Sequence, residues 1–142
     1  MQSPLSQAAA APVFQAEAHG VQVSVRPAFL AEQSDPAAGR YVWAYTVLIE
    51  NIGTQTVQLR ERAWEITDAT GRTEHVRGPG VVGEQPVLRP GERFEYTSGC
   101  PLSTASGFMR GHYTMMGEDG DRFDVPVPAF SLDEPDAERT LN

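Results

Sequence analysis

Hydrophobic residues in this chain recur at every second position far more often than at helical spacing. Val21, Val23 and Val25 alternate with Gln22, Ser24 and Arg26, which is the period-two pattern of a strand with one buried face. Pro27 lacks an amide donor and places the end of that strand at an edge or bulge. Ser34-Asp35-Pro36-Ala37-Ala38-Gly39 is a loop, because its aspartate, proline and glycine each favour turns. From Tyr41 to Glu50, Tyr41, Trp43, Tyr45, Val47 and Ile49 fall on one face, with Val42, Ala44, Thr46 and Leu48 on the other. A segment apolar on both faces reads as the central strand of a sheet.

Val57 and Leu59 open another strand that continues through Trp64 and Ile66. Leu59 and Trp64 are an odd number of residues apart, so both face inward only if Glu61-Arg62-Ala63 contains a bulge. Asp68-Ala69-Thr70-Gly71 is a hairpin connection that returns Arg72 to Val76 beside the Trp64 strand. Gln85 to Leu88 and Glu92 to Thr97 are further strands around an Arg89-Pro90-Gly91 turn, with Phe94 and Tyr96 on the buried face. Ser98 to Gly107 reads as a connection of small residues. Met109, Gly111, Tyr113 and Met115 then mark a strand, and Gly117 to Asp121 turns the chain into Phe123, Val125 and Val127. Pro126 and Pro128 put that last strand at an edge, and Phe130 and Leu132 tuck down beyond it. Short strands separated by glycine and proline turns, with no helical period, predict an all-β antiparallel sandwich.

Composition narrows the picture. A chain of 142 residues with 40% hydrophobic content holds one core, expected from residue 14 to residue 132. Residues 1–13 read as a disordered leader: the alanine cluster lacks the basic and leucine-rich regions of a signal peptide. Residues 133–142 read as an acidic disordered tail. The net charge of −8 opposes binding to nucleic acid, acidic membranes and polyphosphates, save at a local basic patch such as Arg72, Arg77 and Arg89. One cysteine excludes an internal disulfide and suits a reducing compartment. With no apolar run near the length of a membrane span, a cytoplasmic location is expected.

The stretch Arg77-Gly78-Pro79-Gly80-Val81-Val82-Gly83-Glu84-Gln85-Pro86 carries glycines spaced G-x-G-x-x-G. That spacing brings backbone amides to a pyrophosphate only when a helix follows, and Pro86 and Pro90 exclude one. The segment therefore reads as a tight loop between strands. Its candidate binding residues are Arg77, Gly78, Gly80, Val81, Val82, Gly83 and Glu84. They serve either a protein partner met by the two valines or an anion held by the glycine amides. The valines alternatively fold back to cover one end of the sandwich. For a divalent cation the candidates are His75 with Glu74, His112, and the group Glu118, Asp119, Asp121 and Asp124, which lacks calcium-loop spacing. Cys100, followed by Pro101, has no histidine partner indicated by the sequence and reads as an inert thiol. Trp43 and Trp64 read as core. No enzyme and no cofactor is expected.

Three blocks resemble one family. Leu59-Arg60-Glu61-Arg62-Ala63-Trp64-Glu65-Ile66-Thr67-Asp68-Ala69-Thr70-Gly71, the glycine loop with its flanks Val76 and Pro86, and Tyr96-Thr97-Ser98-Gly99 with Gly107-Phe108-Met109-Arg110-Gly111-His112-Tyr113 are similar to the bacterial ApaG proteins. The likeness extends from Phe14 to Leu132. It implies a fibronectin type III-like, immunoglobulin-like sandwich and an association with cobalt resistance and magnesium efflux. It also implies kinship with protein-recognition domains appended to eukaryotic F-box proteins and to a DNA polymerase delta-interacting protein. The resemblance departs at Ala63, where the family usually has histidine, so a role for that imidazole does not transfer here.

Overall fold

The computed structural model describes residues 13–135. Among them nine strands form two antiparallel sheets: β1 (Phe14–Ala18), β2 (Val21–Phe29), β3 (Tyr41–Asn51), β4 (Val57–Asp68), β5 (Thr73–Pro79), β6 (Val87–Leu88), β7 (Arg93–Leu102), β8 (Ser106–Gly117) and β9 (Arg122–Asp133). One sheet runs β1-β2-β3-β7; the other runs β5-β4-β8-β9, with β6 paired to the start of β4. The crossover of β7 beside β3 and of β8 beside β4 is the Greek-key path of a fibronectin type III-like sandwich. Expectations placed on residues 1–12 and 136–142 lie outside the described residues.

The alternation read from sequence is the alternation that fills the core. Trp43, Tyr45, Val47 and Ile49 on β3 meet Trp64 on β4, Tyr113 and Met115 on β8, and Val125 and Val127 on β9, all buried. Trp64 stacks edge-on against Tyr45, Tyr113 and Phe130 at centroid distances of 5.5, 6.2 and 6.1 Å, a geometry that adds to the burial of the rings. The Trp43 indole N–H donates to the Asp133 carbonyl at 2.9 Å and ties the end of β9 across the sandwich. Pro27 sits beyond the end of β1, where β2 pairs with β3 alone, so its missing amide leaves no gap in the ladder.

Several boundaries differ from the sequence reading. Phe14 to Ala18 form β1, a strand that the short apolar repeat of Phe14, Ala16 and Ala18 left unmarked. The β4 bulge lies at Arg60, just before the expected Glu61-Arg62-Ala63, since the register with β8 shifts between Leu59 and Glu61. Ser98 to Leu102 is no connection: it is the second half of β7, paired with Tyr41 through Tyr45, and only residues 103–105 turn the chain into β8. β9 continues past Val127 by means of an extra residue at Pro128-Ala129, which brings Phe130 and Leu132 back to the buried face.

Candidate functional site

The glycine segment is a β-turn set on the bulge of β4. Val81 and Glu84 exchange both backbone hydrogen bonds at 2.8 Å, with Val82 and Gly83 between them at φ 42° and 81°. Positive φ at both central positions is the signature of a type I′ turn. Arg60, the bulged residue, offers its carbonyl to the Gly80 amide and to the Gln85 side chain, both at 2.9 Å. Arg62 Nη1 donates to the carbonyls of Pro79 and Gly80 at 3.0 Å each. Gly78 allows that guanidinium to lie against the backbone, for a β-carbon there would stand 3.0 Å from Arg62 Nη1. Gly80 has no room for one at all, with the Glu84 carbonyl oxygen 2.3 Å from its ideal position. Arg60, Arg62 and Gln85 thus hold the turn, and the phase change in β4 is the one feature of the sequence that pointed toward them.

The two valines part company. Val81 is 1% exposed and belongs to the core, whereas Val82 is 56% exposed. Only Val82 is available at the surface, and the expectation of a paired apolar tip is corrected accordingly. A valine at positive φ is a true outlier because its branched β-carbon crowds the backbone there. The amides of Gly80, Val81 and Glu84 are already donated within the turn, and no helix follows Gly83.

Ala63 lies on the outward face of β4, directly across from Arg77 on β5 and His112 on β8. Its short side chain leaves a depression of about 250 Å³ bordered by His75, Arg77 and His112. Arg72, Arg77 and Arg89, the candidate basic patch, do not come together. Arg72 adjoins Asp68 at one end of β4, while Arg89 follows Leu88, which pairs with Val57 at the other end. β4 is 12 residues long, so those ends stand roughly 35 Å apart at about 3.3 Å per residue.

Among the described residues no three histidine, cysteine or acidic side chains converge as a metal site. Glu118 accepts from the Thr56 amide and Asp119 from the Asp121 amide. Asp124 accepts from the Thr114 hydroxyl and lies 3.8 Å from His112. His19 sits in the β1–β2 turn at φ 53°, its ring against Phe123. Burial pushes the Cys100 thiol up to about 11, with Glu74 adding to the shift, so little thiolate exists at neutral pH. Tyr96 and Tyr113 bond hydroxyl to hydroxyl in the core, and desolvation raises both pKa values.

A two-sheet fibronectin type III-like domain carrying a bulge-anchored glycine turn is the class defined by these observations. The ApaG domain (DUF525) family matches residues 31–117. A Protein ApaG of Bradyrhizobium sp. (strain ORS 278) is 61% identical over 130 residues, covering 92% of this chain and 100% of that protein. One of Brucella anthropi is 57% identical over the same span. The crystal structure of a putative ApaA protein from Bordetella pertussis superposes with a TM-score of 0.80 at 52% identity, covering 87% of this chain and 98% of that one. The chain belongs to the ApaG family. No helix among the described residues is long and apolar enough to cross a membrane.

Proposed function

We propose that this chain is a non-enzymatic protein-interaction module of the cytoplasm, presenting the turn formed by Arg77, Gly78, Gly80, Val81, Val82, Gly83 and Glu84. One observation carries the reading: Val82 is both exposed and strained. Backbone strain of this kind costs about 1–3 kcal/mol and persists where surrounding structure over-determines it, often at sites of function. Asparagine or glycine would relieve it, so an apolar side chain held out in water at positive φ is best explained by a partner that covers it. Val81 anchors the turn from below, and Glu84 closes it. Cobalt resistance and magnesium efflux, the traits implied by the family likeness, are then effects exerted through the partner. Phosphate or nucleotide capture by the loop amides draws less support, because the Gly80 amide is already bonded to the Arg60 carbonyl and the Val81 and Glu84 amides to each other's carbonyls.

The test is affinity capture from a bacterial lysate with the intact chain and its Val82→Ser variant. A specific partner retained by the parent and by a distant control such as Thr97→Ser, but lost with Val82→Ser, is expected. Titration with pyrophosphate, Mg²⁺ and Co²⁺, followed by backbone amide shifts, supplies the opposing outcomes. Saturable shifts at Gly78, Gly80 and Gly83 with pyrophosphate would replace the reading with an anion site. Shifts at His75 or Asp119 to Asp124 with metal would replace it with a cation sensor.

A further inference from the structure

The two flanks of the sandwich are unlike. On one, β9 packs against β1 and β2 and covers the seam between the sheets. On the other, β7 ends one sheet and β5 the other, and a cleft of about 290 Å³ runs between them into the core. Trp64, Val76 and Met109 wall it from one sheet, Tyr45, Ser98 and Cys100 from the other. That volume is at the small end of the range for sites that hold organic ligands, about 300 Å³.

Arg62 stands at one end of this cleft. It shares the inward face of β4 with Trp64, and its charge is near enough to Tyr45, Tyr96 and Tyr113 to favour their ionised forms. Nη1 is taken by the turn carbonyls, while Nη2 and Nε find no acceptor among the described residues. The ion pairs of the surface join Arg110 to Glu65, Arg122 to Glu61 and His112 to Asp124, and none reaches Arg62. Those two Arg62 donors are not buried, so they stay open to an acid that enters the cleft, whose charge a guanidinium meets with charge-assisted hydrogen bonds. Among the described residues the chain itself supplies no such acid.

We propose that the cleft is a binding site for a small monocarboxylic acid with a compact apolar body. The carboxylate takes the two free donors of Arg62, in the charge-assisted geometry that guanidinium groups favour, and the hydrocarbon lies between Trp64, Val76 and Met109. Glu74, also on the rim, sits four residues along β5 from Gly78, the partner of Arg62. That places it about 13 Å from the Arg62 level at strand spacing, where it repels a second carboxylate and selects monoacids over diacids. The site does not depend on a protein partner at Val82, and its test reads different residues.

The probe is 3-phenylpropanoate, titrated into the full-length ¹⁵N-labelled chain beside 3-phenylpropan-1-ol, 3-phenylpropylamine and glutarate. Saturable shifts of the Val76, Ser98 and Cys100 amides are expected with the acid, at a Kd of about 1 mM or tighter, and at least about tenfold weaker with the other three. Arg62→Gln should erase the advantage of the acid over the alcohol. Because that change also frees the Pro79 and Gly80 carbonyls, Val76→Phe provides an independent arm: it fills the cleft, leaves Arg62 in place, and should abolish the shifts in a chain that still unfolds cooperatively. Equal binding of acid and alcohol, shifts that fail to saturate, or undiminished acid binding by Val76→Phe would each overturn the proposal.

Discussion

Val82 sets two demands against each other at a single residue. Its φ of 42° strains a branched side chain, and its 56% exposure means that little packing offsets the strain. Val82→Asn creates the Asn-Gly pair that type I′ turns favour, so it should stabilise the domain by about 1 kcal/mol in urea denaturation while abolishing partner capture. A stabilised variant that still captured the partner would separate the strain from the function. Cys100 makes a different residue-scale prediction. Its thiol is raised from 9.0 to about 11, so the folded state holds that proton more tightly than the unfolded state does. The associated stability is complete below pH 9 and is lost as pH rises through 11, by about 3 kcal/mol. The tyrosines Tyr45, Tyr96 and Tyr113 are also raised, from 10.0, and their contribution begins to fall only above pH 10. Unfolding curves taken across this range should therefore start to weaken near pH 9 in the parent chain and near pH 10 in Cys100→Ala.

At the scale of elements, the joint between the sheets depends on Asn51 at the end of β3. It is 2% exposed. Its Nδ2 donates to the carbonyls of Gln55 and Leu88 at 2.8 and 2.9 Å, and its Oδ1 accepts from the Gly53 amide at 3.0 Å. One side chain thus ties β3 to β6 and shapes the crossover into β4. Asn51→Ala leaves the buried Leu88 carbonyl unpaired, together with the half-buried Gln55 carbonyl and Gly53 amide, and should cost about 2 kcal/mol or more in denaturant midpoint experiments, whereas Asn51→Asp should retain only the Gly53 bond. The strands with strong alternation were legible before any coordinates, because β-branched and aromatic residues on one face leave a single register. β1 was not, since Ala16 and Ala18 are too small to mark a face. The second half of β7 was misread because Ser98, Gly99 and Pro101 resemble a loop, and only pairing with Tyr41 through Tyr45 makes them a strand. The candidate site was legible as a tight, helix-free turn. Which valine faces the core was not, because the direction of Val81 is decided by Arg60 and by the exchange of bonds with Glu84, both long-range matters for a local pattern. The depression over Ala63 required the cross-strand placement of Arg77 and His112, which no spacing in the chain reveals.

For the molecule as a whole, the unequal flanks imply unequal resistance to opening. β5 and β9 both end the same sheet, yet their surroundings differ. Every residue of β5 except Val76 and Gly78 is exposed, and the strand is held by pairing with β4 alone. β9 buries Val125, Val127, Phe130 and Leu132 and leans on β1 and β2 as well as on β8. Opening β5 therefore uncovers little apolar surface, while opening β9 uncovers the core. The amides of Glu74, Val76 and Gly78 belong to the hydrogen-bonded pairs of the β4–β5 ladder, since the Asp68 amide bonds the Arg72 carbonyl and the Gly80 amide bonds the Arg60 carbonyl on the same alternation. Native-state hydrogen exchange should find these three amides protected by at least about 2 kcal/mol less than the paired amides of β8 and β9. If β5 instead exchanged only through global unfolding, together with β8, the cleft would be a closed seam of a uniformly rigid sandwich. A β5 that opens on its own gives a ligand a route to Arg62 that leaves the tryptophan core undisturbed.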